Sequence, residues 1–421
     1  MSVLLDSAIL LAAAACAVPA AYLLLLTVQA WRNRDRRLIR GRYEGPRERP
    51  SKWIVLIPAH DEEQVIGQTL ASLRAMSYPA DAFRVAVIAD NCSDRTAALA
   101  RDGGAEVFER ADTENRGKGQ ALDWAMRERL VPMDWRWDAV AVVDADSQVN
   151  ADFLWFMDRE LKRGAQAIQG YYGVLNPLEG WRTSLLAVAL ACFHFLRPLG
   201  RERMGLSCGL KGNGMGFARA LVEAHGYPAG SIVEDLELAC YLADRGIRVH
   251  FAPGAHVYGQ MVTGSAEAAP QRLRWEGGRM PVIRTWLGRL LRGAVCERSA
   301  VKADAAMELL IPPLALLAGA TFAVWLLALL AASAAYYGFA AFNLALATLA
   351  LTAELIHVLS GPPVIRAPAR IYLRLCFVPV FVAWKVVLLG SRVVRRGNSS
   401  ENSEWVRTAR HEVETDHTDP C

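Results

Sequence analysis

From Leu309 to Ala353 the chain runs for 45 residues without a charged side chain. A spanning helix needs about 20 apolar residues to cross a hydrocarbon core of about 30 Å. The run is too long for one span and suits two, joined by a tight turn near Ser333 to Gly338. A second uncharged run, Ala8 to Val28, is about long enough for one more. The apolar share of 53% is therefore concentrated in blocks, with a sizeable water-facing part between them. No Lys or Arg precedes the first run, and nine lie between Arg32 and Lys52. The positive-inside rule places that segment, and the domain after it, in the cytoplasm of a bacterial-type plasma membrane, and the charge lies on the wrong side for a signal peptide. The eight cysteines, at 16, 92, 192, 208, 240, 296, 376 and 421, contain no CxxC pair, so neither a zinc site nor a disulfide framework is indicated. The net charge of +4 is modest, and no nucleic-acid partner is expected.

Between about Lys52 and Phe251 short apolar runs alternate with helical patterns, the signature of an α/β layer fold. Trp53 to Pro58 reads as a strand stopped by proline, then Ala59-His60-Asp61-Glu62-Glu63 and a helix to about Met76. Arg84 to Ala89 is the next strand, ending in Asp90-Asn91-Cys92-Ser93-Asp94, where Ser93 or Asp94 can cap a helix beginning at Arg95. A third strand, around Ala105 to Phe108, leads to Asn115-Arg116-Gly117-Lys118-Gly119-Gln120. Its glycines permit tight turns and Lys118 is a point charge suited to phosphate; a solvated loop is the plain alternative. The fourth strand, Ala139 to Val143, ends in Asp144-Ala145-Asp146. Alternate strand residues share a face, so the two carboxylates are expected side by side at the carboxyl edge of the sheet, where α/β folds bind ligands. Such a pair repels unless a cation intervenes, and hard divalent ions take carboxylates together with nucleotide phosphates. Alone, Asp-x-Asp is equally an acidic turn after a core strand.

The series IPAHDEE (from Ile57), IADNCSD (from Ile88), NRGKGQALD (from Asn115), DADS (from Asp144), Val233-Glu234-Asp235 and Gln271-Arg272-Leu273-Arg274-Trp275 occurs in that order. It resembles the membrane-bound family 2 glycosyltransferases, the group of cellulose, chitin, hyaluronan and poly-N-acetylglucosamine synthases, over about Ile54 to Trp275. The resemblance implies an α/β fold: a GT-A nucleotide-diphospho-sugar transferase domain with flanking transmembrane and interfacial helices. It also implies an inverting transfer from a nucleoside-diphosphate sugar, commonly a UDP-sugar. One departure is Asp61, where the family more often has Asn. Carried onto matching positions, the resemblance implies donor contacts at Ala59, His60, Glu62, Asp90, Lys118, Asp144, Gln271, Arg274 and Trp275. Asp146, supported by Asp144, would hold Mg²⁺ or Mn²⁺. Asp235 matches the catalytic base, and Gly212, Asn213 and Glu234 are expected at the acceptor.

The residue chemistry agrees without being decisive. Inversion requires a base to deprotonate the acceptor hydroxyl while the diphosphate leaves from the opposite face, and a carboxylate with a tuned pKa suffices. Yet Glu234, Asp235 and Glu237 also suit the acidic first turn of a helix. The glycines from Cys208 to Gly216 suit close approach to an acceptor sugar, or form a plain glycine-rich loop. Arg274 can pair with a diphosphate and Trp275 can stack on a ring. Arginines recurring among Leu, Trp, Ile and Val over 271–293 are also what an interfacial amphipathic helix shows, and the segment is read as such a helix closing the site. His250 and His256 read as packing or surface histidines.

The expected organisation is a transmembrane helix over 1–31, a cytoplasmic transferase domain over 32–260 with an interfacial helix at about 181–199, and an interfacial region over 261–305. Two transmembrane helices over 306–360 follow, then an amphipathic segment over 361–396 and a cytoplasmic tail over 397–421. Arg374, Lys385, Arg392 and Arg396 share a helical stripe, which favours an interfacial helix over a spanning one. Three functions follow: extension of an extracellular polysaccharide, transfer of a sugar to a membrane lipid, or an inactive scaffold or export subunit. The carboxylate cluster argues against the last. The expected partners are a nucleotide-sugar donor, a saccharide or lipid acceptor and the bilayer; export partners are not specified by the sequence.

Overall fold

The computed structural model describes residues 2–32, 39–262, 264, 277–334 and 339–385. The uncharged first run forms α1 (Ser2–Trp31). An eight-stranded sheet follows, in the order β3-β2-β1-β4-β7-β6-β8-β5. Its parallel half is built from β1 (Trp53–Ala59), α2 (Ile66–Arg74), β2 (Phe83–Asp90), α3 (Thr96–Asp102), β3 (Glu106–Arg110), α4 (Lys118–Ala125) and β4 (Ala139–Val142). β5 (Ser147–Val149), α5 (Phe153–Lys162) and β6 (Ala167–Val174) come next. One long helix then runs as α6 (Trp181–Leu190), a π-helical turn (Ala191–Leu196) and α7 (Arg197–Arg203). β7 (Met215–Ala218) adds antiparallel to β4, and α8 (Arg219–His225), α9 (Glu234–Asp244) and β8 (Val249–Gly259) complete the domain.

The apolar runs become strands because both faces of the sheet are covered, as parallel strands require. Along β1, fully buried throughout, Ile54 and Leu56 enter one core while Trp53, Val55 and Ile57 enter the other. The adjacent order of β2, β1 and β4 sets the loops beginning at Asp90, Ala59 and Asp144 on one edge.

After the sheet come α10 (Arg279–Cys296), α11 (Ala300–Leu310), α12 (Leu314–Ala334), α13 (Ala340–Leu359) and α14 (Ala369–Arg374). Among the described residues, four helices are long and apolar enough to cross a membrane: Leu4–Trp31, Trp181–Arg203, Leu314–Ser333 and Ala340–Leu359. Three of them, α1, α12 and α13, present much of their surface outward. The fourth contains the run expected at an interface, yet 89% of its apolar window is buried inside the protein. Gly200 of α7 meets the Leu26 backbone of α1, where a Cβ would lie 2.4 Å from the carbonyl oxygen. On another side Phe195 packs edge-on against Tyr171 and Phe251 of the sheet. Arg203 donates to the carbonyls of Gln29 and Ala30 at 2.9 and 2.6 Å, satisfying the last turn of α1. Of the proposed charged stripe, Arg374 turns inward to the carbonyls of Leu178 and Gly180, and Lys385 is buried; Arg392, Arg396 and the tail lie outside the described residues.

Candidate active site

The Asp144–Asp146 pair lies just beyond its strand. β4 ends at Val142, and a turn closed by Ser147 N–H donating to the Asp144 carbonyl (3.2 Å) carries both residues. Burial still alternates: Val143, Ala145 and Ser147 are buried, and Asp144 and Asp146 are half-buried. The outcome expected from strand alternation is reached through a turn. That turn is braced by Asn213, which is wholly buried: its side-chain oxygen accepts from Asp144 N–H (3.1 Å) and its amide donates to Ser147 Oγ (2.8 Å). Asn213, expected at the acceptor, is thus spent on holding the carboxylate turn.

Lys118, at the start of α4, joins the separate parts of the cleft. Its ammonium lies 2.5 Å from Asp144 Oδ1, 2.5 Å from the Gly212 carbonyl and 3.7 Å from Glu234. Burial disfavours its charge, but Asp144 and Glu234 outweigh that and push its pKa up to about 12. Gly212 has φ +78°, a conformation that favours glycine, and a Cβ there would stand 3.4 Å from Asp235 Oδ2. The loop therefore runs close against Asp235, in the first turn of α9. Burial raises the pKa of both Asp235 and Glu234, against the opposing pull of the Leu236 N–H and Lys211 on the former and Lys118 on the latter. A raised carboxylate is suited to taking a proton from a hydroxyl.

The sheet edge at β1 and β2 is held by interlocked loops. His60 Nδ1 donates to the Asp90 carbonyl (2.7 Å), and Glu62 N–H donates to Thr96 Oγ1 (2.8 Å). Asp61, at φ +54°, accepts from the N–H groups of Ser93 (2.6 Å) and Asp94 (3.2 Å). The Asp61 carboxylate thereby ties this loop to the one after β2. Ala59 is buried, so only its backbone can border a ligand. Asp90 is 1% exposed and pairs with Arg110 at 2.7 Å. Burial raises its pKa while Arg110 opposes the shift. Arg110 also reaches Asp112 and the Asn115 carbonyl, both at 2.7 Å, and so ties β2 to the Lys118 loop. Sequence reading missed Arg110; its signal was a basic residue ending the strand that follows one ending in Asp90. His250 lies against Glu202, and His256 is buried against the Pro253 carbonyl and Tyr258. Gln271, Arg274 and Trp275 lie outside the described residues.

Asp144 and Asp146 offer hard oxygen donors beside a lysine. That set fits Mg²⁺ or Mn²⁺ of the kind held by one or two carboxylates, with phosphates and water supplying the rest. Among the described residues, the one close trio of possible metal ligands is Asp61, Cys92 and Asp94. Both of its carboxylates are engaged by backbone N–H groups, and burial pushes the Cys92 thiol up to about 11, so the trio reads as a loop lock.

Among curated proteins, the chain is 27% identical over 258 residues to the probable glycosyltransferase YdaM of Bacillus subtilis, covering 59% of this chain and 60% of that one. It is 30% identical over 243 residues to the beta-monoglucosyldiacylglycerol synthase of Trichormus variabilis, covering 55% of this chain and 50% of that one. It is 26% identical over 242 residues to the poly-beta-1,6-N-acetyl-D-glucosamine synthase of Staphylococcus aureus, covering 54% and 55%. The match thus spans about half to three fifths of these relatives. Among solved structures, the mannosyltransferase PcManGT of Pyrobaculum calidifontis is similar with a TM-score of 0.48 at 17% identity, over 84% of this chain and 98% of that one. The profile described as "Glycosyltransferase like family 2" matches residues 50–278, more than half of the chain. With a match over more than half of its length, the chain belongs to that family.

Proposed function

We propose that the chain transfers a sugar, with inversion, from a nucleoside-diphosphate sugar to a hydroxyl acceptor at the cytoplasmic face of a membrane. The observation that carries this reading is the line from Asp144 through Lys118 and the Gly212 carbonyl to Asp235, which sets a carboxylate pair and a lysine next to a buried acid. Asp146, with Asp144, would hold a divalent cation, whose charge would offset that of the departing diphosphate. Lys118 moves from Asp144 to the phosphates as the donor enters. The interlocked loops at Asp61 and Asp90 border the base and ribose, and Gln271, Arg274 and Trp275 are read from the sequence motif as donor contacts. Asp235 takes the hydroxyl proton on the far side of the sugar, with Glu234 and Gly212 beside the acceptor. A UDP-sugar is the first donor to test.

Growth of an extracellular polysaccharide is the first reading of the acceptor, supported by the Gln-x-x-Arg-Trp motif. Addition to a membrane lipid is the second, supported by the small number of outward-facing apolar helices and by the lipid glycosyltransferase at 30% identity. Membranes containing the protein, incubated with radiolabelled UDP-sugars, separate them: long chains favour the first and a chloroform-soluble product the second. Asp235→Asn is expected to slow transfer by roughly 10² to 10⁴, and Asp146→Ala to abolish metal-dependent turnover, with folding retained. Near-normal activity in either variant would sink its assigned role.

A further inference from the structure

Behind the acceptor side of the cleft, α1, α7, α11 and the Gly212 loop meet in a seam of buried charge. Arg201 satisfies the seam's two carboxylates, reaching Asp304 Oδ2 at 3.0 Å and Glu308 Oε2 at 2.5 Å. Tyr22 of α1 bridges Asp304 and Arg201. Two further cations are left over. Arg197 and Lys211 are 4% and 8% exposed, and both converge on the remaining Glu308 oxygen, at 4.0 and 3.9 Å. Neither distance is a hydrogen bond. Arg197 Nε has no partner, and among the described residues neither side chain donates a hydrogen bond.

The two cations flank Phe193, with Lys211 Nζ 3.8 Å and the Arg197 guanidinium 5.1 Å from its ring centroid. Phe193 is itself half-buried and sits in the π-helical turn, a feature that recurs at functional sites. Buried cations without hydrogen-bonded partners are costly, so they mark a place where a ligand completes the set. Lys211 immediately precedes Gly212, whose chain touches Asp235. The position is therefore on the acceptor's side of the base, across the loop from Lys118.

We infer that Arg197, Lys211 and Phe193 form a subsite for an anionic, phosphate-type group carried by the acceptor. This deepens the transferase reading, on which it rests for the acceptor's place beside Asp235. Guanidinium and ammonium together offer several donors to one oxyanion, and Phe193 covers the apolar part attached to it. Burial pushes Lys211 down to about 8, against Glu308, so an arriving anion would restore its full charge. The same chemistry is offered by a lipid phosphate headgroup or by a phosphorylated saccharide.

The test uses the full chain in detergent, with dioleoyl phosphatidate as the lipid probe, glucose 6-phosphate as the soluble one and dioleoylglycerol as the neutral control, read by native mass spectrometry. Preferential retention of phosphatidate supports a lipid source, and of glucose 6-phosphate a soluble one. Lys211→Met and Arg197→Met should each weaken the retained probe about tenfold or more, whereas the exposed Arg284→Met should not. Without any anion, Lys211→Met should melt no lower than the parent, since it removes an under-paired buried charge. Asp146→Ala should keep phosphate binding while losing transfer, so failure of the catalytic reading shows separately. The inference falls if neither phosphate probe outcompetes dioleoylglycerol, or if Lys211→Met binds the probe as the parent does.

Discussion

The two ends of the cleft handle charge in opposite ways. At the sheet edge, acidic side chains outnumber basic ones, and most are held by backbone N–H groups or by a single cation: Asp61 by Ser93 and Asp94, Asp90 by Arg110, Asp144 by Lys118. At the membrane-side seam the cations are in excess of their hydrogen-bonded acids, and all are deeply buried. An edge built of loops can exchange Lys118 for a metal and phosphates with little rearrangement. A seam of packed helices cannot lose Arg201 cheaply, because its two buried acids would be left without their best partner, so that ion is part of what joins α1 to the sheet domain.

Arg201→Met probes the difference most severely. It leaves Asp304 and Glu308 buried without their best partner and should cost about 3–5 kcal/mol, seen as a large drop in melting midpoint in detergent. If the midpoint holds, the seam is not structural. Gly212→Ala comes next. Forcing a side chain into a left-handed conformation costs roughly 1–2 kcal/mol, and here the added methyl also crowds Asp235, so turnover should fall by more than stability does.

A pH profile then examines Asp235 itself. Its pKa is raised by burial, and the role proposed for it requires the carboxylate form, so kcat/KM should fall as pH drops through a value above the ordinary Asp range of about 4. Asp235→Asn should flatten that limb; a limb that survives the substitution belongs to another group. The smallest effect is expected at Glu223→Ala, which removes an exposed pairing with Arg219 (2.6 Å) on α8. Such i,i+4 pairs are worth about 0.3–0.5 kcal/mol, so a larger loss would mean that exposed pairs contribute here as buried ones do.

Much of the transferase domain was legible because its elements are local. Apolar runs of four to eight residues ending in carboxylates mark β1, β2 and β4 wherever they are read, and the uncharged runs mark α1, α12 and α13. The Asp144 turn was placed correctly at the sheet edge, although the strand stops short of it. The bracing role of Asn213 was not legible, because its two side-chain hydrogen bonds go to residues more than sixty positions away. The helix from Trp181 to Arg203 looked interfacial because an apolar helix reads alike whether lipid or protein covers it.

The order of residues alone thus determined which segments are strands, which can cross a membrane, and which acids are candidates for the metal and the base, since backbone periodicity and hydropathy act over a few neighbours. Only the tertiary structure decided that Arg110 partners Asp90, that Lys118 spans from Asp144 to Gly212, and that Arg197 and Lys211 meet around Phe193. Those pairings depend on how the sheet order and helix crossings bring distant side chains together, and no local period encodes that distance.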